Sequence, residues 1–186
     1  LGGVKRPPVV FAAEQALGWT DTAALPLAPP KCFIVNQAPF LLWVRGDAHD
    51  QAFLLGVLGS IPLDWYARRF VETHVNYHVF NPFPIFRPGR GDPLWRRVVA
   101  LAGSLACPDK RFAKWAKAVG VECGKLDAAE KDAMIAELDA VVAHLYGLSE
   151  PQLVHVFETF HEGWDYSPRL EKVLGYYRQW GGKRSS

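Results

Sequence analysis

"DAAEKDAMIAELDAVVAHLYG", residues 127–147, is the stretch on which the fold turns. Met134, Leu138, Val141, Val142 and Leu145 recur at spacings of one, three and four, which places them on one face of an α-helix. Asp127 stands at the N-cap, Glu130 falls at the third helical position, and Gly147 follows the last periodic residue. These are the start and stop signals of a helix that buries one side.

The sequence around it continues in the same manner. Ser149 with Gln152 opens a second capping box, followed by the apolar face Leu153, Val156, Phe157 and Phe160. "SPRLEKVLGYYRQW" repeats the helical pattern, and the polar "GGKRSS" end is expected to be disordered. On the N-terminal side, "DPLWRRVVALAGSLA" has Leu94, Val98, Leu101 and Leu105 at helical spacing, and "DKRFAKWAKAVG" reads as a shorter, basic helix. Further upstream, Asp47 or Asp50 caps a segment with Phe53, Leu54, Val57 and Leu58 on its apolar side, and Gly59 ends it. Ser60 then caps "PLDWYARRFVETH", with Pro62 tolerated in the first turn and Ile61, Trp65 and Phe70 toward the core.

The first 45 residues read differently. "PPVVFAA", "KCFIV" and "PFLLWV" are short runs rich in β-branched and aromatic residues, separated by proline-containing stretches such as "LPLAPPK". At Val75 the period changes to two, suggesting one more strand before a proline-punctuated loop from Asn81 to Arg90. The expected fold class is therefore α+β, a strand-rich N-terminal part followed by a mostly helical C-terminal part. The expected division is residues 1–90 and 91–186.

The composition is that of an ordinary globular chain: 186 residues, 49% hydrophobic and 22% charged, with a formal charge of +2. That balance permits a nucleic-acid partner without demanding one. Cys32, Cys107 and Cys123 are odd in number and form no C-x-x-C pair, which argues against a disulfide framework and for a reducing, cytoplasmic setting. No apolar run approaches the ~20 residues that span a bilayer. The chain begins at Leu1 and its single methionine is Met134, so it is expected to be a piece of a longer protein.

Motifs for chemistry are incomplete. "NPFP" at Asn81 resembles the Asn-Pro-Pro-aromatic loop of amino-methyltransferases, but Phe83 separates the two prolines, and no glycine-rich nucleotide turn precedes it. His74 and His78 are four apart, yet nothing completes a metal shell around them. "VECGK" carries one residue too many for a nuclease carboxylate–lysine pair, and no nucleophile elbow is present. No catalytic or metal-binding residue is assigned.

Charge placement is more informative. Arg68, Arg69, Arg87, Arg90, Arg96 and Arg97 lie within thirty residues, opposed there only by Glu72 and Asp92. His74, Asn76, Tyr77 and His78 supply hydrogen-bonding and stacking groups among them. Arginine suits phosphate oxygens and the guanine edge, and asparagine can pair with adenine. The bland alternative is a solvated helix face plus a polar loop, with Arg69 bracing Trp65 four residues earlier.

Four strings taken together carry a resemblance: "APFLLWVRGD", "LLGVLGSIPLDWYARRFVETHVNYHVFNPFPI", "ELDAVVAHLYGLSEPQLVHVFETF" and "LEKVLGYYRQW". Over roughly residues 20–180 the chain resembles the C-terminal target-recognition region of large bacterial adenine-specific DNA methyltransferases, of the fused restriction-modification type related to phage-defence methylases. The resemblance implies double-stranded DNA as partner, with Arg68, Arg69, His74, Asn76, Tyr77, His78, Arg87 and Arg90 near the duplex. It also implies a parent whose methyltransferase domain, outside this chain, holds the Asn-Pro-Pro-Tyr loop and S-adenosylmethionine; no cofactor is expected here. The competing expectation is a structural module whose helical half docks on that domain through Trp164, Tyr166, Tyr176, Tyr177 and Trp180.

Overall fold

Helices build nearly all of the structure, a computed structural model that describes residues 10–12, 40–42, 46–70, 80–160, 163 and 165–184. They are α1 (Ala48–Leu58), α2 (Ile61–Ala67), α3 (Pro93–Leu105), a 3-10 turn (Lys110–Phe112), α4 (Ala113–Val119), α5 (Ala128–Leu145), α6 (Glu150–Glu158) and α7 (Ser167–Arg184). α1, α5 and α6 begin on caps that the sequence predicts, and α3 begins on Asp92. Asp47 accepts from the amides of His49 and Asp50, and Asp50 accepts from the Asp47 amide in return. Asp92 caps α3, Asp127 caps α5 through the Glu130 amide at 2.7 Å, and Gln152 accepts from the Ser149 amide at the start of α6. Each such bond satisfies an amide that the helix itself leaves without a partner.

α5 is the central element, because it is buried on two faces. Leu138, Val141, Val142 and Leu145 enter one core with α1, α3 and α4, where Phe53, Leu55, Trp95, Val98, Leu101 and Trp115 also lie. The opposite side presents Ala136, Ala140 and Ala143 to a second core of Ile61, Leu153, Val156, Phe157, Phe160 and Val173. Small residues on that side let α7 run close along α5, while α6 and α2 complete the layer. The large-residue face needs more room and receives α3, on which α1 packs in turn. The first core thus runs across residue 90, joining α1 to α3.

The strand-rich expectation is corrected: among the described residues the fold is all-α, not α+β. Among the described residues the only strand pairing is an antiparallel ribbon of Val10–Ala12 with Phe40–Leu42, each strand three residues long. Such a ribbon forms no layer against which helices could pack. The runs "PPVVFAA" and "PFLLWV" do hold these two strands, and what was misread is their weight in the fold, since both cores are built by helices. "KCFIV" and the period-two segment from Val75 to Val79 lie outside the described residues. Two smaller expectations also change. Phe70, expected toward the core, is 55% exposed. α7 continues through Gly181 and Gly182 to Arg184 instead of ending in a disordered tail, and buried Trp180 donates to Glu137 at 3.1 Å near its end.

Gly56 sets how closely α1 and α3 approach. A Cβ there would stand 2.6 Å from Val98 Cγ1 and 2.9 Å from Ala102 Cβ. Alanine gains about 0.5–1 kcal/mol over glycine within a helix, but overpacking a filled core costs about 1–3 kcal/mol. Gly56→Ala is therefore expected to lower stability, seen as an earlier urea midpoint; a later midpoint would show that the two helices yield freely.

Candidate nucleic-acid interface

The arginines singled out in the sequence fall into two kinds. Arg68 caps the C-terminal end of α2, donates to the carboxylate of Asp64 at 3.3 Å, and lies 4.3 Å over the Phe160 ring. Arg90 bridges Asp47 at 2.8 Å and Asp50 at 2.6 Å, the two acids that cap α1. Burial pushes the Asp47 carboxyl up, but hydrogen bonds from Arg90 and from the Asp50 and His49 amides outweigh it and hold it below the usual range. The same bonds to Asp47 and Asp50 hold the Arg90 guanidinium above its ordinary value. Both arginines have local counter-charges and fasten one element to another.

Arg69 and Arg87 differ. Arg69 is exposed, lies 4.7 Å over the Trp65 indole and donates to the Thr159 carbonyl, while Trp65 Nε1 donates to Thr159 Oγ1 at 2.8 Å. Thr159 is the C-cap of α6, so the guanidinium sits where helix carbonyls are left without partners. No carboxylate among the described residues pairs with Arg69 or with Arg87, which is exposed in the loop. His74, Asn76, Tyr77 and His78 lie outside the described residues.

The loop that carries Arg87 is pinned. Phe83 and Ile85 point inward, with the Phe83 ring 5.4 Å from Phe80 and 6.2 Å from Tyr66. Asn81, Pro82, Pro84 and Phe86 are exposed. Tyr146, at the end of α5, donates its hydroxyl to the Pro84 carbonyl at 2.7 Å. Burial pushes the Tyr146 phenol up to about 12, against a hydrogen bond from the Phe86 amide that pulls the other way. The phenol therefore stays neutral and able to donate. Phe86, 53% exposed, and Phe70 are the two large apolar side chains that reach solvent among the described residues. In the helical half, Tyr166, Tyr176 and Tyr177 are half-buried and Trp180 is buried, so these four do not form an open docking face; Trp164 lies outside the described residues.

The buried ionisable groups are cross-braces. Asp139, with 0% exposure, accepts from the Ile61 amide at 2.8 Å and from Arg169 at 2.6 Å. Glu137 receives Arg97 of α3 at 2.8 Å together with the Trp180 indole of α7. The buried Gln51 carbonyl receives Trp115 Nε1 at 2.8 Å. None of these acids was singled out from the sequence, although acidic residues inside the apolar run "AELDAVVA" are the visible sign of them. Among the described residues no three His, Cys, Asp or Glu side chains are grouped as a metal site.

No family model, curated protein or solved structure matches this chain.

Two predictions test the bracing. Burial raises the Asp139 carboxyl above its ordinary value, with nearby Asp64 adding, while Arg169 and the Ile61 amide oppose the shift. A folded carboxyl with a raised pKa favours folding at acid pH, and that contribution is lost as pH rises from the usual aspartate range through the folded value. Removing Arg169 deepens this dependence, because a buried charge left alone costs about 3–5 kcal/mol. Arg169→Met is expected to destabilise strongly at pH 8 and much less at pH 5, by denaturant titration at both values; equal losses would contradict it. Tyr146→Phe is expected to cost about 1 kcal/mol and to speed amide hydrogen exchange at Ile85 to Arg87, with exchange in α3 unchanged.

Proposed function

We propose that the chain is a helical recognition module for double-stranded DNA within a larger adenine-specific methyltransferase or restriction-modification protein. The sequence resemblance supports the parent class. The observation that carries the DNA reading is that Arg69 and Arg87, at the two ends of the 69–87 stretch, have no carboxylate partner among the described residues. Arg87 is presented on a loop held by Tyr146 and Phe83, so little ordering is needed when a phosphate is met. Arg68 and Arg90 contribute by keeping α2 and the loop in place. His74, Asn76, Tyr77 and His78, between Arg69 and Arg87 in sequence, are the groups this reading assigns to base edges.

Each phosphate neutralised by an arginine releases condensed counterions, so affinity falls steeply with salt. Fluorescence anisotropy with a labelled duplex, titrated across sodium chloride concentrations, is expected to give that fall. Arg69→Ala with Arg87→Ala should reduce the log–log slope by about 2, about one per contact. Arg178→Ala serves as a control, because Arg178 pairs with Glu150 between α7 and α6. Binding that ignores salt, or a double variant with an unchanged slope, would overturn the assignment.

The second reading, a module docked on its parent's catalytic domain, is favoured by one observation: the exposure of Phe70 and Phe86. Duplex binding by the isolated chain decides for the first reading, and its complete absence for the second.

A further inference from the structure

The chain leaves α3 at Leu105, passes through the 3-10 turn and α4, and returns beside its starting point. The reversal is made at Gly120, whose φ of 83° lies in the left-handed region that favours glycine. The returning strand of chain is fixed to the outgoing one. The Gly124 amide donates to the Cys107 carbonyl at 3.1 Å. Val119 and Val121 press on Gly103, where a Cβ would meet them at 2.9 and 3.1 Å. Cys107 is fully buried at this junction, and half-buried Cys123 packs against the same core. Both thiols are free.

We propose that Cys107 and Cys123 form a reversible disulfide, with a low-molecular-weight disulfide such as oxidised glutathione as the oxidant. The backbone bond between residues 107 and 124 sets Cys107 and Cys123 in neighbouring stretches of chain against one core, and a bridge needs them about 4.4–6.8 Å apart between Cα atoms.

Burial pushes the Cys107 thiol up to about 12, with the neighbouring Cys123 adding to the rise. Cys107 is therefore a poor first nucleophile, and the more accessible Cys123 begins the exchange. Its thiolate attacks one sulfur of glutathione disulfide, the S–S bond breaks, and one glutathione thiolate leaves. Cys107 Sγ then attacks Cys123 Sγ in the mixed disulfide. The second glutathione departs and takes the Cys107 proton. Two protein thiols are oxidised by two electrons, and one glutathione disulfide is reduced to two thiols. The bond closes residues 108–122 into a loop that carries the exposed basic residues Lys110, Arg111, Lys114 and Lys117.

The whole chain is to be equilibrated in glutathione buffers of rising oxidised fraction, quenched, alkylated and digested with trypsin without reduction. The expected product is peptide 98–110 joined to peptide 118–125, removed by dithiothreitol, and accompanied by a rise of several degrees in thermal midpoint. Cys32→Ser should preserve both signals, and Cys123→Ser should abolish both in a chain whose circular dichroism is unchanged. The proposal is overturned if Cys107 and Cys123 are recovered alkylated under buffers that oxidise the urea-unfolded chain. It is equally overturned if Cys123 stops at a glutathione adduct, or if either cysteine is recovered joined to Cys32.

Discussion

The Asp139 carboxylate holds three helices at one point, and the arrangement of α2, α5 and α7 depends on it. It projects from α5 and accepts the backbone amide of Ile61, the first residue of α2. With its other oxygen it takes the guanidinium of Arg169 from α7. Ile61 is fully buried, so its amide has no access to water and would be costly to leave without a partner. An N-cap side chain serves the second or third amide of a helix and does not supply that partner. Ser60 occupies the position but donates its hydroxyl backward to the Val57 carbonyl at 2.7 Å, closing α1 instead. α2 is thus capped from another helix, and its location is tied to a single carboxylate seventy-eight residues away.

That constraint also explains the two-sided character of α5. A helix carrying a buried carboxylate must bring its counter-charge inside the fold, and Arg169 reaches Asp139 because α7 lies close along the Ala136, Ala140 and Ala143 side. On the other side, Glu137 draws Arg97 from α3 and the Trp180 indole from α7. The adjacent acids therefore clamp α5 to its neighbours in both cores. Buried ion pairs contribute little net stability over apolar residues of the same size. What they supply here is register: sliding α7 by one turn would take Arg169 from Asp139 and the Trp180 indole from Glu137. The close contact at Gly56 performs the same service for α1 and α3 by shape alone.

Much of the helical scaffold was legible in the sequence because its signals are local. The caps at Asp47, Asp92, Asp127 and Ser149, and the faces headed by Leu94, Leu138 and Leu153, need only a few neighbouring residues to be recognised. The strand character of "PFLLWV" was legible, but not that its pairing would stop at three residues and leave the fold class to the helices. The candidate interface was legible only as composition. Charge density between Arg68 and Arg97 gives no indication of which guanidinium meets a carboxylate. Arg90 finds Asp47 and Asp50 some forty residues earlier, and Arg97 finds Glu137 forty residues later. Ser60 stands at the N-cap as its sequence suggests, but its hydroxyl bonds backward to Val57, and the acid that serves the Ile61 amide lies in a distant helix.

The division of the arginines has a consequence for any anionic partner. A guanidinium already bridging two carboxylates, as Arg90 does, belongs to a group of net charge −1, and recruiting it to a phosphate would leave Asp47 and Asp50 without their counter-charge. Arg69 has a weaker hold: an indole face and a helix carbonyl attract it without cancelling its charge. Those contacts orient the side chain and leave its field directed outward. Arg87 is positioned by its backbone, through Tyr146 and Phe83, and not by its side chain. Thus Arg69 after α2 and Arg87 in the loop keep guanidinium groups that no carboxylate among the described residues offsets, and the paired arginines beside them fasten the elements. A count of basic residues would have ranked all four alike; their partners separate those that shape the surface from those that can act on it.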